Sequence, residues 1–293
     1  MRLTEPLRIA AIAAAFAAAP ALAQTPPTAH AWQRYADARE IQLRDVAAIV
    51  RIVPENRTDI ALAIVNDGPL RDPEVRVRGE RLTVDGKLRG QIRSCRVRDQ
   101  GFEVTTARNG RLTGAQLLLI EVRLPQNAVV SAGGAVRLHM GPSQSAEVHL
   151  GGCGEADIER VADAADIAVA GGADLRLYEA GTASIAVAGS GDVVAGVVRE
   201  GLTVSIAGAG DVTVARADGQ IEIAVQGAGD VVIRDGQATT MTVAIAGAGD
   251  VVHSGSAERL DAAIVGAGDV RVHRVDGQVT RRVLGVGEVI VGR

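Results

Sequence analysis

Eight carboxylates recur along the C-terminal half of this chain at nearly constant spacing. Acids so placed invite two chemistries, calcium binding and acid–base catalysis by a carboxylate pair. They are Glu155, Asp174, Asp192, Asp211, Asp230, Asp250, Asp269 and Glu288, with steps of 19, 18, 19, 19, 20, 19 and 19 residues. Calcium takes about six to eight oxygens, and one acid per step supplies too few. Calcium-binding β-rolls use a shorter, nine-residue-type repeat with the acid two places after its glycine; here the acid follows glycine directly. Glycoside hydrolysis needs two carboxyl groups in unlike roles across one bond, and these acids recur too evenly to single out a pair. No catalytic residue, metal ligand or cofactor is therefore assigned. The expectation is that each acid faces solvent and accepts backbone N–H bonds at its corner; the sharper alternative is an outward acidic interaction stripe from Asp174 to Glu288 that holds cations or a basic ligand.

The remaining reactive side chains are sparse. His30, His139, His149, His253 and His273 are scattered, with no HExxH and no nucleophile-elbow phrase. His253 stands where sister segments carry Val214, Ile233 and Val272, which marks a partly buried structural histidine. Cys95 and Cys153 are the only two cysteines and form no CxxC. In an exported chain two such cysteines predict one disulfide.

The acids belong to a repeated phrase. GSGDV occupies 189–193, GAGDV recurs at 208–212, 227–231, 247–251 and 266–270, and GVGEV stands at 285–289. GCGE (152–155) and GGAD (171–174) are imperfect earlier copies. A catalytic loop is needed once, so the repetition is architectural. Around the phrase, Ile221, Ile223, Val225, Gly227, Gly229, Val231 and Ile233 alternate with polar or small residues. Strict alternation predicts strand with one buried face. Both glycines then fall on the inner face, where the chain bends around a narrow interior and a side chain would not fit, while the acid points out. ARADGQ (215–220) and RDGQAT (234–239) read as turns. The predicted fold is all-β, a parallel β-solenoid with one coil per ~19 residues. The glycines open no amphipathic helix, so a phosphate-binding GxGxxG reading fails.

Four segments follow. Residues 1–23 read as a signal peptide: Arg2 and Arg8, the apolar run 9–19, then small residues with cleavage expected after Ala23. Residues 24–36 read as a flexible segment, 37–150 as irregular early coils and edge-covering strands, and 151–293 as the regular solenoid. Arg281 and Arg282 break the apolar pattern of the last coil, which predicts a C-terminal cap whose strand loosens or turns to water. Two strand-like runs flank PENRTD in 41–65, and RLTVDGKLRGQIRSC (81–95) holds two more. Charge divides unevenly, at a net +4 over 24–150 and −9 over 151–293. The acidic half speaks against nucleic acid. Arginines between 71 and 111 are interspersed with acids and read as a solvated strand face. No later segment is apolar enough for a transmembrane anchor, so the mature chain is expected in the periplasm or outside the cell.

The export signal, the v-x-V-x-I-x-P-E-N-x-x-D-I segment and the recurrent GSGDV/GAGDV phrase resemble the autotransporter adhesin head GIN domain family of bacterial envelope proteins. The resemblance spans roughly 40–290. It implies a right-handed β-helix-like exported protein without established enzymatic activity, and the family's name implies adhesion; the expected partner is an envelope polysaccharide or protein. It supplies no catalytic residues to carry over. No strand-rich translocator occurs before Arg293, so a complete autotransporter is not expected. The alternative is a carbohydrate-active β-helix enzyme of the lyase or hydrolase type.

Overall fold

Alternation of β-branched and small residues dominates this chain, and it folds accordingly. The computed structural model describes residues 31–98 and 101–292. The leader 1–23, its cleavage after Ala23 and the first part of 24–36 lie outside the described residues. Among the described residues, strand accounts for 73% and helix for 1%, in parallel coils about 19 residues apart and about nine turns in all.

The regular coils pair like with like. Leu202, Val204 and Ile206 lie beside Ile221, Ile223 and Val225, which lie beside Met241, Val243 and Ile245. Beyond the glycine phrase, Val212 and Val214 lie beside Val231 and Ile233. All of these side chains are buried, at 2% exposure or less. The inner face is thus a set of ladders of Val, Ile, Leu and Ala. Fully burying each Val or Ile is worth roughly 1.5–3 kcal/mol, so thin coils are stabilised without large rings.

The first half builds the opposite end with less regularity. Strand Glu40–Glu55 lies parallel to Asn127–Met140, which lies parallel to the start of Ser145–Gly189. The register slips between Ala132 and Gly134. Opposite that slip, Arg44 and Asp45 form a bulge, with Asp45 at φ 50°. Leu118–Pro125 runs parallel to the second part of Glu40–Glu55, and Ile60–Val65 pairs antiparallel on its far side. Gln33–Tyr35 then pairs antiparallel with Ile60–Val65. Arg81–Asp85 runs parallel to Glu40–Arg44, with Glu74–Arg78 antiparallel beyond it.

Residues 92–113 depart from the sequence reading. The two runs in 81–95 are both strands but do not pair with each other. Ile92–Arg98, Gly101–Thr106 and Gly110–Thr113 form a separate three-stranded antiparallel sheet. The break falls at Gly86–Gly90. Gly86 is tied to the bulge through its N–H to the Arg44 carbonyl at 2.9 Å, which turns the chain out of the coil. Cys95 of this sheet is bonded to Cys153 of the coil, with Cα atoms 6.1 Å apart.

The final coil keeps its pairing. Val279–Gly285 stays in register with Leu260–Gly266, Ala262 opposite Arg281. The strand therefore does not loosen; Arg281 and Arg282 are simply exposed, which keeps their charges hydrated.

Candidate functional site

At each glycine phrase the coil turns a corner, and backbone N–H groups donate to carbonyls of the coil before it. The Ala228 N–H donates to the Gly208 carbonyl at 3.0 Å, and the Ala248 N–H to the Gly227 carbonyl at 2.9 Å. So close an approach leaves no room for side chains. A Cβ on Gly229 would lie 2.2 Å from the Gly210 carbonyl oxygen and 3.1 Å from Ile206 Cγ2. The obstacle is therefore chiefly the backbone one coil below, along the stack, and only secondarily the interior. In the phrases from 189 to 270 the first glycine is half-buried and the second buried, while in the last coil Gly285 is exposed and Gly287 half-buried.

The acid after the glycines has a defined task. Asp211 Oδ1 accepts the Asp230 N–H at 2.8 Å, Asp230 Oδ1 the Asp250 N–H at 2.8 Å, and Asp250 Oδ1 the Asp269 N–H at 2.8 Å. The series begins with Asp174 accepting from Asp192 at 3.1 Å and Asp192 from Asp211 at 2.9 Å. It ends with Asp269 accepting from Glu288 at 2.8 Å. From Asp192 to Glu288 each acid's carbonyl meanwhile accepts an N–H of the preceding coil, from Leu175 at Asp192 and from valines thereafter, as in Val212 to Asp230 at 2.9 Å. The side chain thus closes a gap in the ladder where the corner denies the N–H a carbonyl. Glu155 stands outside this series; its carboxylate pairs with Arg176.

Stacked carboxylates about 4.8 Å apart repel by roughly 1 kcal/mol per pair in water. Charge-assisted hydrogen bonds contribute about 1.5–3 kcal/mol each and offset this. Arg271 adds local relief, 2.6 Å from Asp269 and 3.5 Å from Asp250. Among the described residues, no group of three His, Cys, Asp or Glu side chains is gathered as a metal site would require. A calcium site filled to a hundred times its Kd would add about 2.7 kcal/mol, several degrees in Tm for a chain of this size. We expect millimolar calcium to shift Tm by less than about 2 °C. A larger rise, reversed by chelator and lost in Asp211→Asn/Asp230→Asn/Asp250→Asn, would overturn the structural role.

His253 is fully buried rather than partly so. It lies beside Ile233 and Val272, with Nε2 3.2 Å from the Ser256 carbonyl and Nδ1 without a partner. Burial lowers its pKa; the Ser256 carbonyl, Asp235 and Asp218 pull weakly the other way. Because the folded value lies below the unfolded one, protons favour the unfolded chain. Stability from this residue is complete above about pH 6.5 and is lost as pH falls below it. His253→Ile should remove that component and raise stability by on the order of 1 kcal/mol, since an unpaired buried nitrogen disappears. Denaturant melts of both proteins at successive pH values check this; parallel pH profiles would refute it.

A second feature was not singled out in the sequence. Strands Glu40–Glu55, Arg81–Asp85 and Glu74–Arg78 set their outward side chains in a grid around a groove of about 620 Å³. Glu40, Gln42, Arg44, Arg76, Arg78, Arg81 and Thr83 line it. The clue lay in alternation: Arg76, Arg78, Arg81 and Thr83 share one strand face.

Two crystal structures from Parabacteroides distasonis ATCC 8503 share the fold. One, a putative adhesin, is 14% identical with TM-score 0.55, covering 89% of this chain and 96% of that one. The other, a putative lipid binding protein, is 18% identical with TM-score 0.53, covering 90% and 96%. No curated protein matches the chain. Within the solenoid, residues 198–292, which contain all four GAGDV phrases and GVGEV with the stacked glycines and acids they carry, match the family Putative auto-transporter adhesin, head GIN domain.

Proposed function

We propose that this is an exported, non-enzymatic binding or adhesion module of the bacterial envelope, placed in the periplasm or outside the cell after cleavage behind Ala23. The observation that carries the reading is the state of the repeated acids. From Asp174 to Asp269 each carboxylate already accepts a backbone N–H of the next coil. Such groups are occupied in holding the rod together, which leaves the rod's faces as contact surface. The family match over 198–292 supports binding, and the Cys95–Cys153 bond agrees with an oxidising compartment. The regular coils from 151 to 293 act as the shaft, and the early coils of 37–150 provide an irregular head.

The test combines a glycan array with a hydrolase and lyase screen on the same purified protein. Retention of one glycan class without turnover supports the module. Cleavage of a polysaccharide would favour the β-helix enzyme reading instead. Cell fractionation with N-terminal sequencing checks export; a cytoplasmic chain still carrying residues 1–23 would contradict it.

A further inference from the structure

Like charges placed directly opposite across neighbouring strands are destabilising, yet Arg78 and Arg81 are direct cross-strand partners. Only one of them is compensated. Arg81 is paired with Glu40, at 3.1 and 3.3 Å through two of its nitrogens. Among the described residues Arg78 has no acidic partner and is exposed. The next row holds Arg76 opposite Thr83, and Thr83 beside Gln42. Thr83 Oγ1 donates to Gln42 Oε1 at 3.3 Å. The third row places Arg44 against Asp85 at 2.5 Å, with Glu74 shared between Arg76 and Lys87. The groove thus has a neutral hydrogen-bonding floor, Gln42 and Thr83, bordered by guanidinium groups, and the five cations of these rows exceed their three acids by two.

We infer that this groove binds an acidic polysaccharide segment, its carboxylate or sulfate groups held by Arg76, Arg78 and Arg81 and its hydroxyls by Gln42 and Thr83. The inference names the ligand class for the binding role proposed above and rests on that role. Three observations favour this ligand over other polyanions. Arginine is the chain's cation almost without exception, Lys87 being the one lysine, and its planar fork matches planar oxyanions in pairs. Arg76 and Arg78 stand about 6.8 Å apart along their strand, and Arg78 faces Arg81 across about 5 Å, so charges are met at intervals along a chain. No aromatic side chain lines the groove, which removes the stacking platform that single-stranded nucleic acid uses. No apolar side chain lines it either; a lipid acyl chain would gain nothing there.

The experiment is titration calorimetry of the purified chain with polygalacturonate and heparin-derived oligosaccharides, neutral dextran, and phosphatidylglycerol vesicles. It compares the wild type, Arg76→Gln/Arg78→Gln, and Arg234→Gln as a control outside the groove, each first shown to melt like wild type. We expect an acidic oligosaccharide to bind, more weakly as salt is raised, and at least about tenfold more weakly to the double variant. Dextran should not bind, and Arg234→Gln should bind as wild type. Acidic binding equal in all three proteins would overturn the groove, as would no binding of acidic oligosaccharides. Vesicle binding lost in the double variant, without oligosaccharide binding, would assign the groove to lipid headgroups and overturn the inference. Binding of dextran alone would overturn it while leaving the binding-module reading standing.

Discussion

Gly229→Val is expected to cost about 3 kcal/mol or more, while Ala228→Val, one residue away, should stay within about 0.5 kcal/mol. The difference follows from what each Cβ meets. On Gly229 it lies 2.2 Å from the Gly210 carbonyl oxygen and 3.1 Å from Ile206 Cγ2. A backbone carbonyl cannot swing aside as the end of a flexible side chain can, so two coils must separate locally or lose their pairing. Ala228 is exposed and already carries a Cβ, and two further methyl groups there extend into water. In a stacked-coil protein the loss falls on the interface between neighbouring repeats, so denaturant midpoints should drop without a change of fold. Equal losses from the two substitutions would mean that the strand phase is reversed.

Cys153→Ser should also weaken the protein markedly. The bond spans 58 residues, and the chain-entropy model gives about 4 kcal/mol for a loop of that length. It also fastens the three-stranded sheet of residues 92–113 to the coil at Cys153. In the variant that sheet should become the first region to be cleaved by protease, before the regular coils. Native, unreduced protein should show no reactive thiol. Labelling of both cysteines without reductant would refute the bond.

The regular coils were legible because their information is local. Alternation from Ile221 to Ile233 names the buried face, and the 18–20 residue steps between acids name the coil. What a periodic sequence conceals is the axial neighbour. The glycines were read as avoiding a narrow interior, whereas the group they chiefly avoid is a carbonyl one coil below. The acids were read as outward carboxylates accepting backbone N–H bonds at the corner, without saying which N–H. Their bond to the next acid's N–H appears only once the coils are stacked. His253 was placed at an apolar position by phase, but its complete burial depends on Ile233 and Val272 on either side.

The N-terminal half was harder for a different reason. The hairpin of 74–78 with 81–85 is local, but it joins 40–44 through 81–85, too far apart for a local pattern to reveal. Arg76, Arg78 and Arg81 looked like members of a mixed-charge surface. Pairing sorts that mixture: Glu40 and Asp85 pair with Arg81 and Arg44, Glu74 is shared by Arg76 and Lys87, and among the described residues Arg78 is left without an acid. The sheet of 92–113 escaped notice because its strands pair only with one another.

The claim on which the account depends is that each repeated aspartate closes the backbone ladder of the next coil. Amide hydrogen exchange of Asp250 tests it, because its N–H donates to Asp230 Oδ1 at 2.8 Å. Asp230→Ala should speed exchange at Asp250 by about tenfold or more, since a charge-assisted bond is lost. Asp230→Asn, which keeps an acceptor oxygen, should leave it far better protected, and the Asp269 amide, held by Asp250, should change little in either variant. An Asp250 amide that exchanges at one rate in wild type, Asp230→Asn and Asp230→Ala would contradict the account.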